Sequence, residues 1–72
     1  MTIEKLTEAM KEIMVRSYTS GATPAEGGAA IGAFAKLAIV AGVPKTMIAA
    51  AWQEADLWLR TGGLAKALQK TA

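Results

Sequence analysis

The feature that most constrains this chain is an apolar segment that runs from Gly27 to Val43 and stops at Pro44. Lys36 and four glycines interrupt it, and a transmembrane helix needs about 20 consecutive apolar residues, so the segment is too short to span a bilayer. A chain of 72 residues buries only about 60% of the surface that it exposes when unfolded. We therefore expect a cytoplasmic protein without a membrane partner. The rest of the chain has few residues with which to bury this segment.

Local signals predict four helices in a single domain that spans residues 1–72. The clearest signal is the tetrapeptide from Thr23 to Glu26, in which threonine caps, proline takes the first helical position and glutamate completes a capping box. Apolar residues from Ile3 to Met14 recur at three- and four-residue steps, as on one side of a helix. The fold class is thus all-α, a compact bundle of three main helices and a short C-terminal helix. The predicted helices cover residues 3–18, 24–41, 44–60 and 64–69.

The predicted second helix is apolar on nearly every side. Its only charges, Glu26 and Lys36, do not form a polar face, and a helix that is apolar all round is normally buried all round. Gly27, Gly28 and Gly32 would each cost about 1 kcal/mol relative to alanine, which close packing of a neighbouring helix could offset, although the first two could instead bend the first turn. Because two other main helices can hardly enclose this helix, we expect a homodimer.

The side chains available for catalysis are few. The sequence has no cysteine and no histidine, which excludes disulfides, thiol chemistry, Ser-His triads and the common zinc sites. The carboxylates of the first helix, Glu4, Glu8 and Glu12, alternate with lysine and arginine, which is typical of a solvated face. There is neither a phosphate-binding glycine loop after a strand nor an EF-hand-like loop. We expect a non-enzymatic protein that uses no cofactor and no metal.

The third helix is predicted to carry two apolar stripes side by side. The core stripe consists of Ile48, Ala51, Trp52, Ala55 and Leu59. The second stripe consists of Met47, Ala50, Leu57 and Trp58. Two interpretations of the second stripe remain open, because Trp58 and Leu57 could cover the terminal helix or could bind a partner. Tryptophan and methionine are enriched in interfaces, so the second interpretation predicts a small regulatory protein that docks on another protein and inhibits or redirects it.

The segment from Phe34 to Trp52 resembles the helix-turn-helix of bacterial and phage repressors. A small residue, Ala38, lies four positions before Gly42, and the apolar Val43 follows the glycine directly. This resemblance implies a transcription regulator whose third helix would enter the major groove of duplex DNA. The positions that would face the base edges are Lys45, Thr46, Ala49 and Ala50.

The distribution of charge along the chain distinguishes docking on a protein from DNA binding. The whole chain carries eight Lys and Arg against six Asp and Glu, a net charge of +2, but acids and bases balance over residues 24–61. Phosphate contacts normally need a cluster of Lys and Arg. The balance favours docking on a protein over DNA binding, and a purely structural oligomerisation module is the third alternative.

Overall fold

A computed structural model, which describes residues 2–71, consists of four α-helices in the order α1 to α4. They span Ile3–Thr19 (α1), Pro24–Val40 (α2), Lys45–Arg60 (α3) and Gly63–Thr71 (α4). The described part of the chain contains no strand. The all-α prediction is confirmed, and each predicted helix boundary is correct to within two residues.

The cap predicted at Thr23 is present, and Thr2 caps the start of α1. The Thr2 hydroxyl accepts a hydrogen bond from the Lys5 backbone N–H at 3.1 Å. In the capping box, the Glu26 N–H donates to the Thr23 hydroxyl oxygen at 3.2 Å, and the Thr23 N–H donates to the Glu26 carboxylate at 3.0 Å. The hydrogen bonds from Thr23 lower the pKa of Glu26. These bonds satisfy N–H groups that a helix start otherwise leaves without a partner, so local sequence determines where α1 and α2 begin.

The core is built between α1 and α3. Leu6 and Met10 of α1 are fully buried, and so are Ala51 and Ala55 of α3. Because alanine has a short side chain, the backbone of α3 can approach the longer side chains of α1 closely. Among residues 2–70, the remaining buried apolar ones are Met14 and Ala38. The core is small, and its largest members come from α1.

α2 is attached to this core along one side only. Among its described residues Ala38 is the single buried one, while Ile31 and Phe34 are half-buried and pack against the core cluster. Most of this apolar helix therefore faces outward in the single chain. Within residues 2–71, no helix combines the length and the hydrophobicity needed to cross a bilayer.

Candidate protein-binding groove

Trp52 occupies the environment opposite to the predicted one, whereas Trp58 matches the interpretation in which it covers the terminal helix. Trp58 is half-buried and packs against the core, with its indole ring against Gly63 of α4 so closely that a Cβ there would overlap the ring. The Lys11 Nζ lies 5.4 Å from the centre of that ring, within the range of a cation–π interaction. Trp52, by contrast, is 42% exposed, and Leu59 is exposed beside it. The predicted core positions of Trp52 and Leu59 are wrong.

The packing of α1 explains this exchange. Ala51 and Ala55 define the line along which α3 contacts α1, and Trp58 continues that line at the i+3 step from Ala55. Trp52 and Leu59 lie to one side of the line, at the edge of the core. Both sides of α3 are apolar, so contacts with the neighbouring helices determine which side is buried.

An apolar groove lies between α2 and α3, and we call it the α2–α3 groove. It consists of two adjacent cavities, of about 360 and 440 Å³, that share Gly28, Ile31 and Trp52 in their walls. The first cavity lies towards the end of α1 and includes Tyr18 and Leu59. The second lies towards the start of α3, and the buried Met10 contributes to its wall. Because α2 and α3 contact each other little, the groove is open to solvent.

The chemistry of the α2–α3 groove suits apolar contacts rather than catalysis. Lys45 is the one charged residue among the described residues that line it. A Cβ added at Gly28 or Gly32 would meet no atom within 4 Å, so these two glycines pack against nothing in the described chain. Gly27 is different, because its Cβ position lies 3.5 Å from the Ser17 Cβ. Close packing is confirmed for Gly27 alone.

The predicted partner-binding stripe on α3 is largely half-buried. Met47 and Trp58 are half-buried and pack against the core cluster, and Ala50 is half-buried as well. Leu57 alone is exposed, at 62%. The sequence signal that could have located the groove instead is the pair Gly28 and Gly32, which lie four residues apart and hence on one side of α2.

Residues predicted to read DNA lie at the start of α3. Lys45, Thr46 and Ala49 are exposed, and Ala50 is half-buried. They follow a four-residue connection in which Gly42 has a φ of +94°, a conformation that glycine adopts without the steric cost that a Cβ imposes. Arg60 lies at the opposite end of the same helix, where it is paired with Asp56 at 2.9 Å.

A second unpartnered surface lies on α2, opposite the core. We define the outer face of α2 as Ala29, Ala33, Leu37 and Val40, all of which are exposed. Leu37 is 71% exposed and Val40 is 86% exposed. Burial of a whole leucine or valine side chain contributes roughly 1.5–3 kcal/mol, so complete burial of what these two leave exposed would contribute roughly 2–5 kcal/mol per chain.

No family model, curated protein or solved structure matches this chain.

Proposed function

We propose that this chain is a small non-enzymatic regulator that works as a homodimer and docks on another protein, which it inhibits or redirects. The segment that it binds is an amphipathic helix of the partner, received in the α2–α3 groove. The observation that carries this proposal is Trp52, a large side chain that is 42% exposed in the wall of an open apolar groove. Tryptophan is the residue type most enriched among energetically dominant interface positions.

The lining of the groove defines what the partner segment has to present. Trp52, Ile31 and Leu59 offer apolar contacts, and the absence of side chains at Gly28 and Gly32 leaves room for a partner's backbone to approach α2. Amphipathic helices bind such grooves through apolar residues at i, i+3, i+4 and i+7. An acidic residue at one end of that helix would pair with Lys45. The proposed surface differs from the stripe predicted on α3, because Met47 and Trp58 are already in contact with the core.

A photo-crosslinking amino acid at position 52, with a matched control at the neighbouring position 53, tests this proposal in cell extract. Trp52 lines the groove, whereas Gln53 is exposed on another side of α3. We expect position 52 to form an adduct with a protein other than this chain, and Leu59→Lys to abolish that adduct because it places a charge in the groove. Equal adducts from both positions, or adducts with copies of this chain only, would contradict the proposal.

DNA binding is the second candidate function. The observation that favours it is the exposed first turn of α3, with Lys45 and Thr46 directly after the Gly42 turn. Fluorescence anisotropy with a mixed-sequence duplex at low salt should then give a Kd of roughly 1–100 μM that weakens steeply with added salt. Under this function Lys45→Ala weakens binding, and Leu59→Lys does not. No binding at low salt would remove this candidate.

A further inference from the structure

We propose that a cavity at the junction of α3 and α4 binds a phosphate monoester, with the phosphate held by the ammonium groups of Lys66 and Lys70 and the organic part against Trp58. We call it the α4 cavity. It has a volume of about 340 Å³ and is lined by Trp58, Thr61, Gly63, Lys66, Ala67 and Lys70. None of these residues lines the α2–α3 groove, so the inference goes beyond the proposed function and does not depend on it.

The net positive charge of the chain comes from α4. All six acidic residues and six of the eight basic residues lie within residues 1–61, where their charges cancel. α4 contains the other two basic residues, Lys66 and Lys70, and no acidic residue. The two lysines lie four residues apart, and hence on one side of the helix, where like charges repel each other. An anion bound to both of them would relieve that repulsion.

No carboxylate of the described chain neutralises these two lysines. Both are exposed, and the ion pairs within residues 2–71 do not include them. The lining of the α4 cavity contains no acidic residue. A neighbouring cavity, which shares Trp58 with this one, does include Glu8 and Glu12. Those carboxylates already pair with Lys11 and Arg16, at 3.3 and 3.0 Å, so the α4 cavity keeps its positive charge.

The indole of Trp58 adds a third hydrogen-bond donor and an apolar wall. Its Nε1 lies against Gly63, where any larger residue would overlap the ring. Within the described residues this N–H has no acceptor, and no buried side-chain nitrogen lacks a partner, so the N–H is open to solvent. The hydroxyl of Thr61 donates to the Leu57 carbonyl oxygen at 2.9 Å. The side-chain donors that remain for a ligand are therefore two ammonium groups and one indole N–H, all of which suit an anionic oxygen.

This set of donors favours a phosphate monoester over a carboxylate. A phosphate monoester carries a charge of about −1.5 to −2 at neutral pH, which matches the two lysines, and lysine binds phosphate as a point charge. A carboxylate carries a single charge and is matched best by the planar fork of arginine, which the lining of the α4 cavity lacks. The volume lies in the range of small-molecule sites, so room remains beside Trp58 and Ala67 for an organic group.

Nuclear magnetic resonance of the isotope-labelled chain tests the site without altering it. The chain has two tryptophans, so its spectrum contains two indole N–H signals, which Trp52→Phe assigns. We expect phenyl phosphate to shift the Trp58 signal in a saturable way, with a Kd of about 1 mM. The Trp52 signal should stay in place, because Trp52 lies in the α2–α3 groove. Sodium chloride at equal ionic strength is the reference.

Replacement of single lysines identifies the groups that bind the phosphate. Lys66→Gln and Lys70→Gln should each raise the Kd about tenfold, as expected for the loss of one charge-assisted hydrogen bond. Lys36→Gln is the matched control, because Lys36 is also exposed and has no ion pair within residues 2–71 but lies on α2, outside the cavity. It should leave the Kd unchanged. Circular dichroism verifies that each variant keeps its helices.

Inorganic phosphate and benzoate test the two parts of the ligand separately, and both should bind more weakly than phenyl phosphate. Equal binding of inorganic phosphate would overturn the assignment of an organic group beside Trp58, and equal binding of benzoate would overturn the assignment of phosphate. A shift of the Trp58 signal that sodium chloride reproduces, or that Lys36→Gln weakens as much as Lys70→Gln, would overturn the site itself. None of these results bears on the homodimer or on the α2–α3 groove, because their tests use other surfaces.

Discussion

The replacement Trp58→Ala should remove a large part of the stability of this protein. Loss of a core tryptophan costs about 3–5 kcal/mol, and the lower end applies because Trp58 is half-buried. Loss of its contact with Lys11 adds about 0.5 kcal/mol. A domain of this length has a total unfolding free energy of only about 4–11 kcal/mol. We therefore expect the midpoint of thermal unfolding to fall by roughly 14–28 °C.

Trp52→Ala is the matched control, since it makes the same chemical change on the same helix. Trp52 already has 42% of its surface in water, so its removal should cost about 1.5 kcal/mol or less. Urea unfolding followed by circular dichroism at 222 nm, at equal protein concentrations, measures both variants. The measured quantity is the difference between the two unfolding free energies.

A result in which Trp52→Ala costs as much as Trp58→Ala would refute the reasoning. It would mean that α3 presents its other flank to α1 and that the exposed wall of the α2–α3 groove is part of the core. The groove and the docking function built on it would then have to be abandoned. A large loss for Trp58→Ala alone would instead confirm that the stripe predicted on α3 is mainly a packing surface.

Three further predictions concern backbone and caps. Gly63→Ala should lower the unfolding free energy by about 1–3 kcal/mol, because the new Cβ overlaps the Trp58 ring. Gly28→Ala should instead raise it by up to about 1 kcal/mol, because the new methyl group meets no atom and alanine favours the helix. Chemical denaturation measures both variants, and equal effects would contradict the geometry. Thr23→Ala should cost about 0.5–2 kcal/mol and should shorten α2 at its start, as amide hydrogen exchange would reveal; unchanged protection there would refute the cap. The lowered pKa of Glu26 implies a contribution to stability that is complete above the ordinary glutamate pKa of about 4.3 and is lost as pH falls through the lower folded-state pKa. Glu26→Gln should therefore weaken the dependence of the unfolding free energy on pH in the acid range. Identical pH dependence in the two proteins would show that the capping carboxylate is not linked to folding.

Much of the fold could be predicted from the sequence because the relevant signals are local. The caps at Thr2 and Thr23 act on N–H groups three residues away, and the glycine turn at Gly42 ends α2 by its own backbone conformation. The buried side of α1 could also be predicted, because the stripe from Leu6 to Met14 is the main apolar stripe on that helix. For the candidate site, sequence reasoning predicted an excess of apolar surface and named α2 and α3 as its source, which the exposed Leu37, Val40 and Leu57 match.

The sequence by itself thus determined the number, bounds and polarity of the helices, and tertiary structure decided which side of each helix meets another. On α3 two neighbouring stripes are similarly apolar, and helical periodicity specifies a helix only relative to its own axis. Contact of α1 with Ala51 and Ala55, and the return of α4 at Gly63 against Trp58, select one stripe for the core. The same selection leaves Trp52 in an open groove, because the rotation of a helix is set by non-local packing that its own residues do not encode.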